Sequence, residues 1–152
     1  MGLVIQHHRE IDARLLDTLT LLDAEIFPDR PFGRARLERE LSGRRNLSVL
    51  LAVHGEEVCG YKVGYEHSPE IFHSFIGGVR PAWRRRGIAR ALMAEQHHIL
   101  RKLGYARVRT HTTNASRNML LLDIQSGFDV VGVQFKAGPD VLVIVLEKPL
   151  AD

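Results

Sequence analysis

One junction constrains the fold of this chain more than any other stretch. A β-prone run, Ile71-Phe72-His73-Ser74-Phe75-Ile76, closes on Gly77-Gly78 and leads into Val79-Arg80-Pro81-Ala82-Trp83-Arg84-Arg85-Arg86-Gly87-Ile88-Ala89-Arg90. Beyond it, Ile88, Ala91, Leu92, Ile99 and Leu103 recur at helical spacing, which predicts a helix to about Leu103 with Gly104 as its C-cap. A strand, a proline turn, a loop of small residues and a helix start aim successive backbone N–H groups at one point. The first N–H groups of a helix have no intrahelical partner and lie at the positive end of its dipole, so the junction forms an anion site without a dedicated side chain. Gly87 and Ala89 leave the backbone open to close approach, and Arg84, Arg85, Arg86 and Arg90 add attraction for phosphate. Residues Arg84, Arg85, Arg86, Gly87, Ile88, Ala89 and Arg90 therefore read as a pyrophosphate cradle.

Other phosphate patterns do not fit. The chain contains no Gly-x-x-x-x-Gly-Lys-Ser/Thr, and Gly87-Ile88-Ala89 lacks the third glycine of a dinucleotide fingerprint. An arginine run also suits a solvated loop or a nucleic-acid contact, but neither explains Gly87 or the flanking Val79-x-Pro81. The net charge of +3 is modest and its arginines cluster at this loop, which favours a local anion site over a nucleic-acid surface.

At 152 residues, 45% hydrophobic and 26% charged, the chain is expected to fold as one domain, 1–152, around a substantial core. It has no apolar run of membrane-spanning length and no signal-peptide pattern at Met1-Gly2-Leu3-Val4. The lone Cys59, mid-strand, suits packing rather than a disulfide, and a cytoplasmic location is expected.

Elements follow along the chain. Leu3 to His7 is a first strand; Ile11, Leu15, Leu19, Leu22 and Ile26 form a helical stripe ending before Pro28. A short helix around Leu37 and Leu41 stops at Gly43. Two strands, 47–53 and 58–65, form a hairpin through His54-Gly55-Glu56-Glu57, and a third spans 71–79, where Gly77-Gly78 suggests a bulge or a close backbone approach. After the cradle helix come a strand at 106–112, a helix at 117–126, and strands at 128–135 and 141–147, with Gly138-Pro139 in the last turn. The order predicts a mixed α/β fold with helices on both faces of a sheet.

The cradle resembles the acetyl-CoA signature of the GNAT superfamily of N-acetyltransferases, Val-x-Pro followed by Arg/Gln-x-x-Gly-x-Gly/Ala. Val79-x-Pro81 and Arg84-x-x-Gly87-x-Ala89 satisfy every defined position. Asn114, Asn118-Met119-Leu120 and Ser126-Gly127-Phe128 resemble the C-terminal half-motif of that superfamily, and residues 143–150 resemble its last strand. The resemblance implies a GNAT fold of mostly antiparallel strands, with Asn114 and Asn118 on the cofactor side. It further implies that the strand before the cradle and the strand after the helix splay apart, with pantetheine pairing to Gly77, Gly78 and Val79. The N–H near Gly77 would then polarise the acetyl carbonyl.

Acetyl transfer to an amine requires a deprotonated nucleophile, a polarised thioester and a proton for the leaving thiolate. Glu66, at the end of the second hairpin strand, is the candidate base or amine anchor, the alternative being a solvated carboxylate. His67 and His73 read as exposed turn-proximal histidines, a catalytic role for either being the less favoured alternative. Many members of the superfamily carry tyrosine four residues before the Gly-Phe glycine, and here that position is Asp123. An ordinary aspartate would need its pKa raised by roughly three units to hold a proton at neutral pH, so Asp123 is expected to anchor pantetheine or substrate in a partly wet channel. The expected function is amine acetylation by direct attack, both substrates bound together, with no metal and no membrane. A non-catalytic acetyl-CoA sensor and a basic nucleic-acid-binding module are the alternatives. The acceptor, whether a protein N-terminus, a lysine or a small amine, is not legible. Glu25, Asp29 and Glu66 suit a cationic one, while Arg30, Arg34 and Arg36 suit an acidic one. The chain is compatible with a homodimer.

Overall fold

A computed structural model describes residues 2–136 and 142–150. Seven strands form one sheet: β1 (Leu3–His8), β2 (Ser48–His54), β3 (Glu57–Glu66), β4 (Ile71–Val79), β5 (Arg107–Thr113), β6 (Asp129–Phe135) and β7 (Leu142–Pro149), in the order β1-β2-β3-β4-β5-β7-β6. The helices are α1 (Ala13–Ile26), α2 (Arg34–Leu41), α3 (Ile88–Leu103) and α4 (Arg117–Gln125), with a 3-10 turn at Pro81–Trp83. The expected mixed α/β architecture is present, with element ends within two residues of the sequence reading. The turn at Gly138-Pro139 lies outside the described residues.

α1 starts at Asp12, whose Oδ1 accepts from the Leu15 N–H at 2.8 Å and satisfies one of the helix's free donors. Its stripe Leu15, Leu19, Leu22 and Ile26 packs with α2's Leu37 and Leu41 on Val49, Leu51, Tyr61 and Val63 of one sheet face. α3 covers the other face. Ile88 and Leu92 lie against Leu50 and Cys59, while Met93 and Leu100 join Phe72, Val108, Leu146 and Phe128. Leu103, counted in the stripe by spacing, is 49% exposed, because the helix has run past the strands beneath it. Buried Cys59 donates to the Ala52 carbonyl at 3.2 Å, a packing role.

β4 and β5 are the sheet's parallel pair, and their pairing is short. It runs from Ile71↔Arg107 to Ser74↔Thr110, after which residues 75–79 of β4 have no β5 partner. On its other side β4 stays paired to β3 as far as Gly60↔Val79. The sheet is therefore closed at one end and split at the other.

Of the two alternatives that the sequence offers at Gly77-Gly78, a bulge or a close approach, the structure shows the close approach and puts the bulge elsewhere. The irregularity falls between Val63 and Gly64 of β3, where Phe75 of β4 is the extra residue, and both glycines keep regular register with Lys62 and Tyr61. Their lack of a side chain serves close packing instead. A Cβ on Gly77 would lie 2.9 Å from the Tyr61 carbonyl oxygen, and one on Gly78 would lie 2.7 Å from Ile26 Cγ2. The tightest of these contacts is at Gly64, where an added Cβ would meet the Phe72 ring and lie 2.6 Å from the His73 carbonyl oxygen. Gly64→Ala is expected to destabilise the protein by about 3 kcal/mol, the scale of an overpacked core, and to lower the urea midpoint. An unchanged midpoint would mean that the strands at the bulge give way freely.

Candidate active site

The anion cradle lies at the open end of the split. Arg85 and Gly87 both adopt left-handed backbone, with φ of 64° and 78°, and they turn the chain out of the 3-10 segment into α3. The first intrahelical bond runs from the Ala91 N–H to the Gly87 carbonyl. The N–H groups of Gly87, Ile88, Ala89 and Arg90 thus have no partner among the described hydrogen bonds. No atom lies within 4 Å of where a Gly87 Cβ would stand, so the space before these donors is open. Arg84, Arg85 and Arg86 are exposed around it. Arg84 Nε donates to the Val79 carbonyl at 3.2 Å, and the Arg86 guanidinium lies 4.7 Å from the Trp83 ring centroid. Arg90 Nη2 donates to Gln125 Oε1 at 3.2 Å and ties the start of α3 to the end of α4. Asn114 and Asn118 are exposed beside the far lip of the split, between β5 and the first turn of α4. Free donors, open space and surrounding arginines fit the pyrophosphate of a coenzyme A thioester, and the unpaired β4 edge at residues 75–79 fits the extended, amide-bearing arm of pantetheine.

Asp123, on α4, is only 3% exposed, so the partly wet channel expected from sequence is corrected. Burial pushes its pKa up to about 6, and the Lys62 ammonium pulls back against that rise. Lys62 is the register partner of Gly77, and its Cγ is 3.4 Å from the Gly77 Cβ position, so Asp123 and Gly77 share one face of the split through this lysine. Burial in turn holds the Lys62 ammonium below its ordinary pKa. Asp123 Oδ2 has no hydrogen-bond partner among the described residues. Sequence reasoning passed over Lys62; a lone lysine between Gly60 and Gly64 in an apolar strand was the available signal.

Glu66 goes elsewhere. Successive strand residues point to opposite faces, and Tyr65 takes the α1–α2 face. Glu66 therefore turns to the α3 side, where Oε1 accepts from the Tyr105 hydroxyl at 2.8 Å and Oε2 lies 3.8 Å from Arg45 Nε. Asn46 Nδ2 donates to the same tyrosine oxygen at 2.6 Å. The carboxylate that sequence offered as a base thus serves as a bracket for the loops below the closed end.

The α1–α2 face of the split holds a cleft of about 400 Å³ that the sequence reading did not foresee. Its floor contains His73 of β4 and His111 of β5, with ring centroids 4.8 Å apart, where the two strands part. His73, expected exposed, is half-buried, and burial pushes its pKa down to about 3, helped by His111, His67, Arg109 and Lys136. His111 is lowered as well, by burial and then by Lys136 and Arg109. Both rings are neutral at physiological pH.

The sequence model of the Acetyltransferase (GNAT) family matches residues 13–121, and the chain belongs to that family. Its fold is similar to that of the ribosomal-protein-S18-alanine N-acetyltransferase of Escherichia coli, with a TM-score of 0.84 at 14% identity over 99% of this chain and 96% of that one. Ard1 from Thermoplasma volcanium gives 0.81 at 15% identity, with both chains covered in full. A GNAT family acetyltransferase from Elizabethkingia anophelis, solved with acetyl-CoA bound, gives 0.74 at 18% over 97% of each chain. At these identities the likeness is one of fold. No curated protein sequence matches the chain. Among the described residues no helix is long and apolar enough to cross a membrane.

The raised pKa of Asp123 has a thermodynamic consequence. A carboxyl whose folded pKa lies above its unfolded value contributes stability that is fully present below the unfolded pKa, 3.8, and is lost as pH rises through the folded value near 6. Asp123→Asn removes the buried charge, so the variant is expected to match the parent near pH 4 and exceed it above pH 7 by up to about 3 kcal/mol. Urea denaturation at the two pH values measures this; a constant difference across the range would place the ionisation outside the folded interior.

Proposed function

We propose that this chain transfers an acetyl group from acetyl-CoA to a primary amine, with both substrates bound at once on opposite faces of the split sheet. The observation that carries the reading is the parting of β4 from β5 after Ser74↔Thr110, with the free N–H groups of the α3 N-terminus at its open end. Bound acetyl-CoA would supply the activated acetyl thioester. Gly87, Ile88, Ala89 and Arg90 donate backbone N–H groups to the pyrophosphate, with Arg84, Arg85 and Arg86 around it and Asn114 and Asn118 on the opposite lip. Val79 offers backbone groups to pantetheine along the β4 edge, Gly78 beside it being turned toward β3, and the N–H of Gly77 faces the gap, where it would meet the acetyl carbonyl oxygen as negative charge grows there.

Asp123 holds a proton for the departing sulfur. With a pKa of about 6, roughly one molecule in ten carries the neutral acid at pH 7, and an approaching thiolate raises that share. An acid helps rather than being required, because a thiol of pKa about 8.5 is a tolerable leaving group. Nothing at the cleft requires a nucleic acid. Arg86 is stacked on Trp83 and Arg84 is bonded to the Val79 carbonyl, so two of the three arginines are held within the loop.

Two measurements test the reading. Acetyl-CoA should raise the Tm of the parent, and Gly87→Glu should abolish that rise through bulk and like charge. Gly87→Asn, a residue that tolerates left-handed backbone, controls for conformational cost. Undiminished stabilisation of Gly87→Glu would end the assignment of the cradle. In an assay of CoA release, Asp123→Asn should lower kcat about tenfold and flatten the fall of kcat above pH 6. Full retention of kcat would return Asp123 to an anchoring role.

A further inference from the structure

The cleft on the α1–α2 face carries an excess of positive charge that the fold does not neutralise. Its carboxylate is Glu40, and Arg44 Nη2 already holds that group at 3.3 Å. Arg109 is also engaged, by Glu147, with its Nε 2.7 Å from Oε2. Arg36 and Lys136 remain without a carboxylate partner among the described residues. The Arg36 guanidinium lies 4.3 Å from the Phe32 ring centroid, and Phe32 packs edge-on against Phe75 of β4 at 5.3 Å. Stacking of this kind holds the planar fork in place and leaves its edge for a bidentate acceptor. Glu40 lies one turn further along the same helix face, yet it pairs with Arg44 instead, so Arg36 is left as an oriented and unclaimed cation.

We infer that the acceptor is a small amine that also bears a carboxylate, with the anionic end held by Arg36 and Lys136 and the amine presented to the His73–His111 pair at the fork of β4 and β5. This rests on the acetyl-transfer reading above. The cleft volume of about 400 Å³ falls in the range of small-molecule sites. A polyamine or a lysine-rich segment would bring more positive charge to a rim already in excess. A carboxylate there relieves the repulsion and completes the empty fork.

The same field serves the chemistry. Positive charge from Arg36 and Lys136, added to the Arg44 and Arg109 charges that Glu40 and Glu147 offset, favours the uncharged form of an amine lying among them. An uncharged amine is the nucleophile. Its lone pair forms the new C–N bond while the C–S bond of the thioester breaks and the electron pair leaves with sulfur. The proton lost by nitrogen passes to an imidazole nitrogen of His111 and on to water, and the thiolate takes one proton from Asp123 or solvent. A bound carboxylate also offsets the charges that depress His111, so the base strengthens when the correct acceptor is present.

The test uses matched amines: n-butylamine, 4-aminobutyrate and 1,4-diaminobutane, together with hexylamine, 6-aminohexanoate and 1,6-diaminohexane. In each set the far end is neutral, anionic or cationic. CoA release should rank anionic over neutral over cationic in kcat/KM, with at least about tenfold between the extremes. Arg36→Gln should bring the anionic-to-neutral ratio close to one, and Arg36→Lys should restore part of it. His111→Gln should lower kcat by more than about thirtyfold with little change in binding of the anionic amine by calorimetry, done on protein saturated with CoA. A ranking led by the neutral or cationic members in both sets overturns the inference, as does calorimetric silence of both anionic amines. If acetyl-CoA fails to raise the Tm of the parent, the acetyl-transfer reading itself falls. If it raises the Tm but the anionic amines are not preferred, only the present inference falls.

Discussion

Everything in this molecule turns on how soon β4 and β5 part. Four residue pairs join them, from Ile71↔Arg107 to Ser74↔Thr110, and beyond these the strands diverge while β4 remains paired to β3 and β5 to β7. Divergence leaves an unpaired backbone edge in the middle of a sheet, where a folded protein normally has none. Unpaired N–H and C=O groups in such a place favour any extended polar chain that can complete the ladder.

Each neighbouring element contributes to keeping the split open. Gly77 and Gly78 let β4 lie tightly against the β3 backbone and Ile26 of α1, which holds this strand away from β5. β5 is secured on its other side by β7, where Glu147 pairs with both Arg107 and Arg109. Those guanidinium groups hold the Glu147 carboxyl below the usual carboxylate range against the opposing effect of burial. The closed end is braced by Tyr105, which links Glu66, Asn46 and the edge of Phe72 beneath α3. Both strands are thus paired on their outer sides, and the turn after β4 carries the chain to the N-terminus of α3 at the opening.

The split also divides the polar chemistry between two faces. On the α3–α4 side lie a buried carboxyl, Asp123, and a half-buried lysine, Lys62, each shifted mainly by loss of water. On the α1–α2 side lie two neutral histidines beneath an arginine-rich rim. The two faces meet only through the gap between β4 and β5. Strand alternation produces this separation without further design, because His73 and His111 point to one side and Phe72, Ser74 and Val108 to the other.

The sequence by itself determined the elements, the mixed α/β class and the phosphate cradle, because each depends on residues close together in the chain. Val79-x-Pro81 and Arg84-x-x-Gly87-x-Ala89 specify a turn and a helix start whose free donors are local consequences of backbone geometry. The chemistry of the cleft was not determined that way. Glu66 looked available because a strand end usually faces water, but the partner that claims it, Tyr105, lies 39 residues away. His73 looked exposed for the same reason, and only the parallel docking of β5 sets His111 beside it. Asp123 looked half-solvated until α4 closed over Lys62. Which face a strand residue takes, and what shields it from water, depends on register and packing between distant segments, and those are decided only when the sheet has formed.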